Sequence, residues 1–134
     1  MYGNDGRTWS FDESLKPEIK NDVLYLNYIG SIDNSIYLSV SIETFDPRDA
    51  KQKPIPINGR KNVIIEFNDL IRHKVYLHSS ISNGEGLIVK QTINLQNQMK
   101  IILEIPNKGK ELMSIVFYFT GEQEQIGIKH IYLE

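Results

Sequence analysis

The chain has 134 residues, 40% of them hydrophobic and 24% charged, with a formal net charge of -2. That is one domain by length (1–134), long enough to bury a core without staples. Interspersed charge excludes the basic stripe of a nucleic-acid binder, and the absence of cysteine excludes disulfides and thiolate chemistry.

The first residues, M-Y-G-N-D-G-R, have neither the basic nor the apolar region of a signal peptide. If the domain is exported, its signal lies outside this chain, so a cytoplasmic protein and an excised extracellular domain both fit and the compartment stays unknown. No apolar run approaches the ~20 residues of a membrane span, so no membrane insertion is expected.

In chain order, residues 1–21 hold a few apolar anchors, Trp9, Phe11, Leu15 and Ile19, with a short strand expected at Thr8–Phe11. Val23–Ile29 reads as a strand and Gly30–Ser35 as a turn. Ile36–Phe45 is the clearest element. Ile36, Leu38, Val40 and Ile42 alternate with Tyr37, Ser39, Ser41 and Glu43, the period of a strand with one buried and one solvated face.

Asp46–Arg60 follows as a fifteen-residue irregular connection, made locally basic by Arg48, Lys51, Lys53 and Arg60, with Lys61 next to it. Pro47, Pro54 and Pro56 keep it from forming a central strand. Asn58-Gly59 is a turn signal. A connection of this length is expected to border a binding surface.

Asn62–Phe67 is the next strand, and Asn68–Ile71 a turn, with a helical turn as one form. Lys74–Ile81 resumes alternation, with Val75, Leu77, Ser79 and Ile81 opposite Tyr76, His78 and Ser80. Leu87–Leu95 and Gln98–Ile105 read as a hairpin joined at Gln96-Asn97. Leu112–Thr120 is apolar on both sides, as a central strand is. In Ile126–Leu133 the apolar phase slips between Ile128 and Ile131, predicting a β-bulge near Lys129–His130.

Eight strands, nine with Thr8–Phe11, without a helix of normal length predict an all-β fold: an antiparallel two-sheet β-sandwich of jelly-roll type. The predicted core is Leu38, Val40, Ile42, Leu77, Ile101, Leu103, Ile115, Phe117, Phe119 and Ile128.

No enzyme is expected. His73, His78 and His130 have no metal-ligand spacing, and His78 beside Ser79 and Ser80 lacks a nucleophile elbow and an ordered acid. Asp46 and Asp49 are too few for a cation site. Asn83-Gly84-Glu85-Gly86 lacks the helix and lysine of a phosphate loop. The suggestive feature is a polar strand face. Tyr37, Ser39, Ser41 and Glu43 on one strand, Tyr76, His78 and Ser80 on another, and Lys90 and Thr92 on a third offer rings for a sugar's C–H face and partners for its hydroxyls. Tyr118 adds a ring. The plainer reading is a solvated strand face, where tyrosine and threonine are favoured anyway.

Trp9 and Phe11 in a W-x-F, the short alternating strands, and I-G-I-K-H-I-Y-L-E after F-Y-F-T-G resemble jelly-roll carbohydrate-binding modules and galactose-binding-like domains. The resemblance implies a non-catalytic, glycan-binding module, often with a structural calcium and often attached to an enzyme. S-I-Y-L-S-V-S-I-E-T-F-D is similar to the third accessory Sec protein of streptococci and staphylococci. That likeness implies a protein-interaction subunit of a bacterial secretion and glycosylation complex. The expected ligand contacts are Tyr37, Glu43, Tyr76, His78, Lys90 and Tyr118, and the expected partner is a glycan or a protein.

Overall fold

The computed structural model describes residues 18–27, 36–40, 55–83, 85–122 and 125–134; for 36–40, 55, 113 and 114 it describes the backbone. The described residues form β1 (Glu18–Lys20), β2 (Val23–Asn27), β3 (Ile36–Val40), β4 (Ile55–Pro56), β5 (Asn62–Phe67), β6 (Val75–Asn83), β7 (Ile88–Asn94), β8 (Lys100–Glu104), β9 (Glu111–Gly121) and β10 (Gln125–Leu133). All pairs are antiparallel, in two sheets ordered β1-β2-β10-β5-β8 and β3-β9-β6-β7, with β4 also on β9. None of these elements is a helix, so no described helix is long and apolar enough to cross a membrane.

Apart from the short β1 and β4, the strands pair in a nested order. β2 pairs with β10, β3 with β9, β5 with β8 and β6 with β7. Except at the innermost β6–β7 pair, consecutive strands therefore leave one sheet for the other, and the buried faces meet in one core. Leu24, Leu26, Val63, Ile65, Leu103 and Ile126 come from the first sheet; Leu77, Ile81, Ile115, Phe117 and Phe119 come from the second. Of the predicted core, Leu77, Ile101, Leu103, Ile115, Phe117, Phe119 and Ile128 are buried. The side chains of Leu38 and Val40, and all of Ile42, lie outside the described residues, as do Thr8–Phe11, Glu43 and Asp46–Pro54.

Alternation fixes the phase of β6: every second residue from Val75 to Asn83 is buried. The predicted bulge is present. Ile128 pairs with Phe67 but His130 with Glu66, which leaves Lys129 as the extra residue. Ile131 and Leu133 then return to the core side. Asn58 and Gly59 both take left-handed backbone angles (φ 50° and 77°), and Arg60 N donates to Ile57 O at 3.0 Å, so this turn forms as expected.

Two expectations are corrected. Gln96-Asn97 does not close a hairpin: β7 pairs with β6, and β8 pairs with β5 in the other sheet. A tight two-residue hairpin of the favoured type needs both central residues left-handed, and here only Asn97 is (φ 64°). The turn bonds instead to Ile71, ahead of β6, and to Val75, its first residue, through Asn97 N to Ile71 O at 2.7 Å and Leu95 N to Val75 O at 2.8 Å. Fully buried Leu95 anchors the crossing. Asn68–Ile71 forms bends rather than a helical turn, with Asn68 N donating to Gly127 O.

Candidate functional site: the outer face of the second sheet

The outer face of β9, β6 and β7 is laid out in rungs, because cross-strand partners share a face. One rung runs Tyr118, His78, Thr92, with Tyr37 opposite Tyr118 in the backbone register of β3. A neighbouring rung runs Thr120, Tyr76, Asn94, and another runs Val116, Ser80, Lys90. Five of the six expected contacts therefore lie on one sheet; Glu43 falls outside the described residues.

His78 is the hub. Its Nε2 lies 2.7 Å from Thr120 Oγ1 and its Nδ1 lies 3.0 Å from Thr92 Oγ1. Its ring is stacked on Tyr118, with centroids 4.5 Å apart and planes 13° from parallel. Partial burial lowers its pKa, which favours neutral imidazole. In that form one nitrogen donates to a threonine and the other accepts from one. Both nitrogens are thus committed. A threonine, and no carboxylate, holds Nδ1, so the triad logic of a nucleophile, base and orienting acid is not met here.

Tyr76 and Tyr118 are half-buried rather than exposed, a correction to the expectation of projecting rings. The stacked pair explains it for Tyr118, since one ring face is covered by His78. Tyr76 has no ring partner among the described residues. Lys90 is exposed at the edge strand.

Thr120 escaped the sequence reading, although the alternation of β9 places it two residues from Tyr118 on the same side. Among the described residues no three His, Asp or Glu side chains converge on a cation position. Of the long basic connection, Ile57–Arg60 lines a cleft at one end of the sandwich. Compared with known proteins, the chain matches no family model, no curated protein and no solved structure.

Proposed function

We propose that the chain is a non-catalytic binding module whose outer β3-β9-β6-β7 face contacts glycan. The observation that carries this reading is the fixed cluster of His78, Tyr118, Thr92 and Thr120, an aromatic pair held upright by two hydroxyl contacts. Side chains already locked lose little entropy when a ligand arrives. The face is dense in what a sugar needs: Tyr76 as a ring for stacking, Thr92, Asn94, Ser80 and Thr120 for hydroxyls, and Lys90 at the rim. The nested strand order supports the further reading of the sandwich as a jelly roll.

The experiment is a glycan-array screen of the whole chain, with and without calcium, repeated with Tyr76→Ala and Tyr37→Ala. A hit weakened by both variants, at unchanged melting temperature, supports the reading. Binding that neither variant alters, or the absence of any hit, sinks it. The second outcome favours the protein-interaction reading, for which the end cleft is the specific observation.

A further inference from the structure

The end cleft has a volume of about 1090 Å³ and is built from three separate stretches of chain: 57–62, 87–89 and 104–110. Its walls are tied together. Ile57 N donates to Lys110 O at 2.8 Å, and Ile105 N donates to Lys61 O at 3.3 Å. Asn83, 4% exposed, knots the other side. Its Nδ2 donates to Lys108 O at 2.7 Å, and its Oδ1 accepts from Glu85 N and Leu87 N. Gly109 (φ 90°) passes so close that a Cβ there would lie 3.0 Å from Asn83 Nδ2. The cleft is therefore shaped before any ligand enters.

Its chemistry is lopsided. Leu87 and Ile88 are 41% and 56% exposed and give it an apolar side. Arg60, Lys61 and Lys110 line it as exposed cations against one carboxylate, Glu104. None of the three cations has an ion pair among the described residues. Among the described lining residues cations outnumber carboxylates three to one, with the Glu85 carboxylate just outside the lining, its Cδ 3.6 Å from a Cβ placed on Gly109. Among the described residues no aromatic side chain lines the cleft, so those residues offer no stacking platform for nucleic-acid bases. Its volume lies just above the range of small-ligand pockets, roughly 300–1,000 Å³, and suits a short stretch of extended chain.

We infer that this cleft docks an acidic peptide segment of a partner protein. Carboxylates of the segment sit on Arg60, Lys61 and Lys110, and an aliphatic side chain between them covers Leu87 and Ile88. The inference uses no residue of the glycan face and stands or falls apart from it.

The test is selection of a displayed random heptapeptide library on the whole chain, and on the double variant Arg60→Glu with Lys110→Glu. The altered residues are exposed, so folding is checked by an unchanged melting temperature. Arg60→Ala with Lys110→Ala replaces the reversal if that variant is less stable. Peptides combining Asp or Glu with Leu, Ile or Val are expected to enrich on the native chain. Individual hits should lose about tenfold or more in affinity on the charge-altered chain and weaken in roughly 0.5 M salt. Leu87→Asp should weaken them as well. No enrichment, enrichment of basic peptides, or hits indifferent to both variants would overturn the inference.

Discussion

Gln91 and Glu104 are joined by a two-point amide contact between the sheets. Gln91 Nε2 donates to Glu104 O at 2.9 Å, and Glu104 N donates to Gln91 Oε1 at 2.8 Å. Gln91 lies on β7 and Glu104 on β8, the edge strands of the second and first sheets. The side chain makes the pair of bonds that a neighbouring strand would otherwise make. It links the sheets along one side and blunts an edge open to pairing with another chain.

Gln91→Ala should therefore act in two ways. Stability should fall by about 1–2 kcal/mol, as for two modest hydrogen bonds whose backbone groups regain water. Glu104 N–H should also lose protection in hydrogen exchange. An unchanged exchange rate at Glu104 would show that the contact is not populated in solution.

Phe117 tests the core. It is fully buried at the centre of β9, between β3 and β6. Phe117→Ala should cost roughly 3–5 kcal/mol in denaturant unfolding. A loss below about 1 kcal/mol would mean that its ring does not fill the space between the sheets.

Two glycines separate backbone strain from steric clash. Gly121 and Gly86 both take positive φ, 117° and 85°. A Cβ on Gly86 would meet nothing within 4 Å, whereas one on Gly121 would overlap the Lys74 carbonyl oxygen and press on the Val75 Cα at 3.2 Å. Gly86→Ala should cost about 1–2 kcal/mol, the strain of a left-handed residue. Gly121→Ala should cost clearly more, because backbone has to move. Equal losses in thermal unfolding would contradict the register of Gly121 against Val75.

His78 gives the expected pH response. Its folded-state pKa lies below the ordinary value of 6.5 because burial disfavours the charged ring. Between those two values the unfolded chain binds more protons than the folded one. The contribution of His78 to stability is thus fully present above pH 6.5 and declines as pH falls toward the folded pKa. NMR titration should find His78 below the unfolded value, and His78→Gln should flatten that part of the stability profile. A His78 pKa above 6.5 would contradict the account.

Much of this architecture is legible in the sequence because strand burial repeats every second residue. The alternation from Val75 to Ile81 gives the phase of β6, and the slip after Ile128 gives the bulge at Lys129. Asn58-Gly59 names its turn because few other residues accept those backbone angles. What local periodicity does not carry is the choice of partner. Gln96-Asn97 has the length of a hairpin turn, yet Leu95 and Asn97 bond to Val75 and Ile71 at the start of β6 and just ahead of it, and β8 goes into the other sheet. β4 passes unnoticed because Pro56 reads as a strand breaker, while a two-residue edge pairing tolerates it. The His78–Thr120 contact and the cleft are assembled from residues far apart in sequence, so neither has a local signature.

The most direct test of the proposed glycan contact by the outer β3-β9-β6-β7 face is residue-resolved. In two-dimensional amide NMR of the labelled chain, a glycan identified on the array is titrated in and the shifted signals are mapped. The account predicts the largest changes at Tyr76, His78, Thr92 and Tyr118, with Arg60, Leu87 and Lys110 at the end cleft unmoved. Each contacted ring should contribute about 1 kcal/mol, so Tyr76→Ala should weaken binding roughly fivefold at unchanged melting temperature. Shifts confined to the cleft, or spread over the first sheet with the His78 rung silent, would contradict it.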